Sequence, residues 1–365
     1  MAAKKKKTLG IMTGGGDCPG LNAVIRAVVK TALNDYGMDV IGFRDGYHGL
    51  VTGRAVRLRN DDVSGILARG GTILGTSNTH DPFRWAELNR GKLTYHDRSA
   101  KAAASCRRHK LSGLVIIGGD GTMASARKLS DMGLGIVGVP KTIDNDLAGT
   151  DKTFGFDTAV QTASDLIDKL RDTAQSHNRV MVVEVMGRYA GWLALTSGVA
   201  GGADVILLPE IPYDLAKIGE ALKARARRGK RYSILVVAEG ARPKGGTMTV
   251  ARTEATSPDP IRLGGVGQAL SGFIEKRFRL ETRVTVLGHV QRGGSPLASD
   301  RVLCTRFGVK AAELAAAGTF GGMVALRGDD LIAVPLKQVA GKIRLVPEDH
   351  PLIAAARAVG TCFGD

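Results

Sequence analysis

The chain has 365 residues, 44% hydrophobic but only 5% aromatic, with 49 glycines and a formal net charge of +16. That length suits two domains rather than one, and the glycine and small aliphatic content fits an α/β protein with many tight turns. The positive charge favours anionic ligands, but without stacking aromatics or a recognised binding module it argues against a nucleic-acid partner.

From the N-terminus, Lys4, Lys5, Lys6 and Lys7 form a solvated run ahead of TLGIMT, a short apolar strand that leads into consecutive glycines. This start is too short and too glycine-rich for a signal peptide. A helix is expected over about 21–33, then the strand MDVIGF, and later LVIIGG, GIVGVP, VMVVEVM, ADVILLP, SILVVAEG and VTVLGH. Apolar runs alternating with helical stretches predict βαβ units and largely parallel sheets. Between the early and late groups, 158–176 reads as an amphipathic helix with Val160, Ala163, Ile167 and Leu170 at helical spacing, and the chain is expected to change domain there. The segment 241–267 is rich in Gly, Pro, Thr and charge and reads as an exposed excursion, either a lid or a plain insertion. Clusters such as Arg107, Arg108 and Lys110, or Arg225, Arg227 and Arg228, read as exposed helix faces. Cys18, Cys106, Cys304 and Cys362 show neither a C-x-x-C pair nor zinc spacing, so reduced thiols are expected. No apolar run approaches the length of a membrane span, and a cytoplasmic protein is the expectation.

Three turns carry chemistry. The first strand ends at Gly14, Gly15 and Gly16, whose backbone N–H groups are free to face a phosphate as the next helix opens. The second turn is Gly118-Gly119-Asp120-Gly121-Thr122, in which flanking glycines leave the Asp120 carboxylate free for a cation. The third is Pro140-Lys141-Thr142-Ile143-Asp144-Asn145-Asp146. Read as extended chain, it places Asp144 and Asp146 on the same side, one toward a substrate hydroxyl and one toward a metal. Phosphate-approaching glycines, a metal-side carboxylate and a base are the parts of phosphoryl transfer. Farther on, Arg188 follows an apolar strand, as do His289 and Arg292, and Arg179 and Arg283 also flank strands. Guanidinium forks match phosphate oxygens. Glu239 ends SILVVAEG, where it would accept from sugar hydroxyls.

With these residues in place the chain resembles the 6-phosphofructokinase family, in family order over nearly its whole length: GGGDCPGLNAVIR, DGYHGL, GGDGT, PKTIDND, GFDTA, SHNRVMVVEVMGRYAGWLAL, ETRVTVLGHVQRGGSP and SDR. The resemblance implies two Rossmann-like domains with the active site in the cleft between them. It puts the phosphoryl-donor domain at 1–155 plus about 291–340, and the fructose 6-phosphate domain at 156–290 plus about 341–365. It also implies Mg²⁺-dependent transfer from ATP to O1 of fructose 6-phosphate by a homodimer or homotetramer. Asp144 would be the base, with Thr142 beside it, and Arg188 would stabilise the transferring group. Asp120 and Asp146 would hold Mg²⁺. Met186, Gly187 and Glu239 would bind the sugar, and His289 and Arg292 its 6-phosphate, joined by Arg179 and Arg283 of a neighbouring subunit. Gly16, Tyr47, Gly119, Asp120, Gly121, Thr122 and Lys141 fall on the donor side.

Asn78 and Ser125 depart from family residues near the donor, and Lys30 and Asn60 from the effector-binding arginine set in which Arg26 remains, so nucleotide control of that type is not expected. The donor signature is mixed. Gly121 is the residue of ATP users, whereas Lys141 is that of pyrophosphate users, and a pyrophosphate-dependent fructose 6-phosphate 1-phosphotransferase is the alternative. A side chain at position 121 would fill space the nucleotide needs, so the weight falls on ATP.

Overall fold

The computed structural model describes residues 6–89, 92–254 and 261–365. A seven-stranded sheet runs in the order Asp330–Pro335, Gly322–Arg327, Ile136–Pro140, Leu111–Gly118, Thr8–Thr13, Asp39–Phe43, Ala55–Leu58. Its five central strands are parallel and its two edge strands antiparallel. A second, four-stranded sheet is wholly parallel, in the order Thr282–Val286, Val180–Val185, Ser233–Ala238, Val205–Leu207.

The apolar runs are central strands because both faces of each sheet are covered by helices, as parallel sheets require. Ile136–Pro140, Val180–Val185 and Ser233–Ala238 are buried at every position. The expected amphipathic helix is Phe156–His177, with Ala159, Ala163, Ile167 and Ala174 fully buried and Val160 and Leu170 packed half-buried against the same core. It leads from the larger sheet's loops into the smaller sheet. Its first turn is fixed from afar: Asp300, on the helix Ala298–Ala317, accepts from the N–H groups of Gly155 and Thr158, each at 2.9 Å.

Two expectations change. The excursion 241–267 contains an antiparallel pair, Val250–Thr253 with Ile261–Leu263, while its residues 255–260 lie outside those described. Arg225 is not simply an exposed face residue, since it pairs with Asp204 at 2.7 Å and is half-buried. Lys4 and Lys5 also lie outside the described residues. All four cysteines are free, three of them buried. Among the described residues no helix is long and apolar enough to cross a membrane.

Candidate active site

The first strand, Thr8–Thr13, has the next strand of the chain on one side and the later Leu111–Gly118 on the other. The strand order reverses there, and at such a point the carboxyl ends of an α/β sheet open a crevice. Three neighbouring strands end at that crevice: Thr8–Thr13 at the glycines, Leu111–Gly118 at Asp120, and Ile136–Pro140 at Lys141. In the smaller sheet Val180–Val185 ends at Met186, Gly187 and Arg188, Ser233–Ala238 at Glu239, and Thr282–Val286 before His289 and Arg292.

The glycine turn is held open by backbone bonds, Gly14 N–H to the Ile117 carbonyl at 2.8 Å and Gly15 N–H to that of Ser77 at 3.0 Å. Gly15 has φ 78°, a conformation that costs a β-carbon residue strain. A Cβ built at Gly16 would lie 2.8 Å from Arg292 Cζ and nearer still to Nη1, so an arginine of the second sheet rests directly against the turn of the first. Lys141 Nζ donates to the Gly16 carbonyl from a buried position. Burial lowers the Lys141 pKa, with Arg292 acting in the same direction while Cys18, Asp144 and Asp17 oppose.

Asp120 opens the helix Asp120–Asp131. Its carboxylate is not wholly free as expected, because Oδ1 accepts the Gly341 N–H at 3.0 Å. Thr122 receives Tyr47 through its carbonyl, from the phenolic O–H at 2.8 Å, which fixes the buried Tyr47 ring beneath the turn. Gly119 and Gly121 flank Asp120, and a Cβ at Gly121 would meet no atom within 4 Å. The space beside Gly121 is open. Ser125 donates to Asp81 Oδ1 at 2.9 Å, and Asn78 is exposed.

The third turn is not extended. Asn145 is left-handed at φ 50°, and its Oδ1 accepts the Thr153 N–H at 3.0 Å. The carboxylates of Asp144 and Asp146 nonetheless remain electrostatic neighbours through this kink rather than through strand alternation. Asp144 N–H donates to Thr142 Oγ1 at 3.0 Å, and Asp144 Oδ1 is buried with no hydrogen-bond partner. Burial raises the Asp144 pKa, opposed by Arg292, Lys141 and Arg188. Asp146 is pushed up to about 7 by burial and then by the Asp144 charge, with Asp120 adding to it. Glu239 also reaches about 7, chiefly by burial and then by Asp144.

Asp144, Glu239, Arg188 and Arg292 thus share one electrostatic neighbourhood although two sheets supply them. Met186 is drawn in by the Arg292 Nε–H, 3.5 Å from its Sδ, and by the Gln291 side chain, which accepts the Met186 N–H at 3.4 Å. Gly187 accepts the Gly240 N–H at 3.1 Å, and its φ is 133°. His289 is exposed on the short turn Gly288–Arg292.

Arg179 and Arg283 do not join the cluster. Arg179 precedes the six-residue strand that Arg188 follows, and at about 3.3 Å per residue the strand separates them by roughly 20 Å. Both arginines converge on Glu281 Oε1, at 2.8 and 2.6 Å, and Arg179 Nε is buried without a partner.

The Phosphofructokinase family model matches residues 8–315. The chain belongs to that family. It is 51% identical over 361 residues to ATP-dependent 6-phosphofructokinase 2 of Clostridium perfringens, covering 98% of this chain and 99% of that protein. It is 52% identical over 362 residues to ATP-dependent 6-phosphofructokinase of Spirochaeta thermophila, covering 98% of each. Among solved structures, phosphofructokinase from Saccharomyces cerevisiae aligns with a TM-score of 0.75 at 31% identity, over 98% of this chain and 46% of that one. A pyrophosphate-dependent phosphofructokinase from Nitrosospira multiformis reaches a TM-score of 0.79 at 20% identity, which speaks to fold alone. The expected family and α/β architecture are both borne out.

Sequence reading missed the residues that fasten the site from a distance. Gly341 on Asp120, Asp300 on the first turn of the 156–177 helix and Gln291 on Met186 are far away in sequence and sit in no chemical motif, apart from the SDR and HVQRGG contexts of the last two.

Proposed function

We propose that the protein is an ATP-dependent 6-phosphofructokinase that transfers the γ-phosphoryl group of ATP to O1 of fructose 6-phosphate, a step of glycolysis. The lobe around the larger sheet, 1–155 with about 291–340, takes the donor, and 156–290 with about 341–365 takes the sugar phosphate. One observation carries the assignment of the base: Asp144 Oδ1 is buried, unpartnered and set among three cations. A desolvated carboxylate beside a bound hydroxyl is a stronger base than one in water. Asp144 takes the O1 proton as the new O1–phosphorus bond forms and the bond from phosphorus to the ADP oxygen breaks. Thr142 fixes the Asp144 backbone. Arg188 offsets charge on the transferring group.

Met186, Gly187 and Glu239 line the sugar, and His289 and Arg292 meet the 6-phosphate. The glycine turn, Gly119, Thr122, Tyr47 and Lys141 shape the donor side, where the open space beside Gly121 suits a nucleotide. The residues fit Mg²⁺: Asp120 and Asp146 supply hard carboxylate oxygens and are electrostatic neighbours. Among the described residues there is no group of three or more acidic, histidine or cysteine side chains that could cage a metal alone, and Mg²⁺ is usually bound by one or two carboxylates plus substrate phosphates. When bound there it would neutralise donor phosphate charge. Arg179 and Arg283, remote from the cluster of their own chain, would serve the site of a neighbouring subunit.

Asp144→Asn tests this reading. Turnover is expected to fall by roughly 10² to 10⁴, with fructose 6-phosphate affinity within a few-fold of the parent. Near-parental turnover would refute Asp144 as the base.

A further inference from the structure

The stretch 341–346 lies beyond residue 315, where the family match ends, yet it is threaded between the two sets of site loops. On one side, Gly341 N–H holds Asp120 Oδ1 at 3.0 Å. Ile343 pairs with Leu147 in an antiparallel bridge. Arg344 N–H donates to the Asp146 carbonyl at 2.7 Å, and its Nη1 donates to the carbonyls of Thr150 at 3.2 Å and Asp151 at 2.6 Å. On the other side, the Arg344 carbonyl accepts Trp192 Nε1–H at 2.8 Å, and its guanidinium stacks 4.3 Å from the indole centroid. Val346 N–H donates to Glu210 Oε1 at 2.8 Å, and that same oxygen accepts the Gly191 N–H at 3.0 Å. Gly191 and Trp192 follow Arg188 within the same loop and helix start.

Ordinary packing between the two loops would need only an apolar side chain. A guanidinium that engages two successive carbonyls of one loop with its Cζ over an indole of the other ties the two loops through a rigid fork, which a lysine ammonium does poorly. The strap also lines a cavity of about 710 Å³, to which Ile343 and Leu345 contribute together with Arg188 and Tyr189.

We infer that Arg344 is a positioning residue for phosphoryl transfer, clamping the loop that carries Asp144 and Asp146 to the Trp192 end of the loop that carries Arg188. The inference rests on the proposed roles of those three residues. Reacting groups displaced by about 1 Å lose on the order of 10² in rate even when binding is kept. The clamp is therefore expected to act on kcat rather than on KM.

The test compares Arg344→Met, Arg344→Lys and Trp192→Phe with the parent, normalising kcat to the folded fraction from near-ultraviolet circular dichroism. Arg344→Met should lose about 10- to 100-fold in kcat, with KM for fructose 6-phosphate and for ATP within threefold. Arg344→Lys should recover part of that loss, and Trp192→Phe, which keeps a ring but loses the N–H, should lose a few-fold. Normalised kcat within twofold of the parent would overturn the inference, as would a loss traced wholly to unfolded protein. If Arg344→Met does not fold, the other two variants decide by the same criteria. Asp144→Asn is run in parallel. Retained turnover in that variant would fail the reading of the base itself, whereas its loss alongside fully active Arg344 variants would fail the clamp alone.

Discussion

Adding one methyl group to the donor turn, Gly16→Ala, is expected to disable recognition of the sugar phosphate on the opposite lobe. The new Cβ would stand 2.8 Å from Arg292 Cζ, whereas carbon atoms settle at about 3.5–4.0 Å. Arg292 Nη1 would lie nearer still, so the guanidinium must retreat by roughly 2 Å to reach an ordinary contact, and it yields easily because it is the far end of a flexible side chain. Stability should change little. What is lost is a charge-assisted contact to the 6-phosphate, worth about 1.5–3 kcal/mol, which is about 10- to 150-fold in kcat/KM. The loss should fall mainly on KM for fructose 6-phosphate, as for an interaction made equally in ground and transition states. Steady-state kinetics on Gly16→Ala, Arg292→Ala and the double variant give the assay. If the methyl acts through Arg292, the double variant should resemble Arg292→Ala alone, a non-additivity expected of groups in contact. A Gly16→Ala protein within twofold of the parent, or fully additive losses, would refute the reasoning.

Burial raises the Glu239 pKa to about 7, so its contribution to stability is present below its unfolded value and is lost as pH rises through 7. The melting temperature of the ligand-free protein should decline between pH 5 and 8, and Glu239→Gln should flatten that decline. Unchanged slopes in the variant would contradict the assignment. Arg283→Ala and Asp144→Ala should each be inactive, but subunits of the two mixed and exchanged should regain activity through one intact shared site; verified exchange without recovery would remove Arg283 from a neighbour's site.

Much of this architecture was readable because the relevant segments are buried on both faces. LVIIGG and VMVVEV form central parallel strands, and the turns that follow them carry the chemistry. The antiparallel edges were not readable. Asp330–Pro335 is mostly exposed and Ala55–Leu58 has only one buried residue, so neither carries a core-strand pattern. At Asn145 the local expectation of extended chain lost to tertiary hydrogen bonding, since its side chain is engaged by Thr153 and the backbone turns left-handed. Lys141 falls on the donor side by resemblance, and its bond to the Gly16 carbonyl, 125 residues away in sequence, leaves no local trace. The Arg344 contacts span sequence separations above 150 residues and leave no local trace. Propensity and motif reading see neighbours in sequence, whereas these groups are neighbours only once two sheets have closed on one another.

Donor choice tests the central claim most directly. With Mg²⁺ saturating and fructose 6-phosphate fixed, kcat/KM is measured for ATP and for pyrophosphate, with formation of fructose 1,6-bisphosphate followed for each. The open space beside Gly121 predicts a preference for ATP of at least tenfold, about 1.4 kcal/mol of transition-state discrimination. A tenfold preference for pyrophosphate, or no fructose 1,6-bisphosphate from either donor, would contradict it.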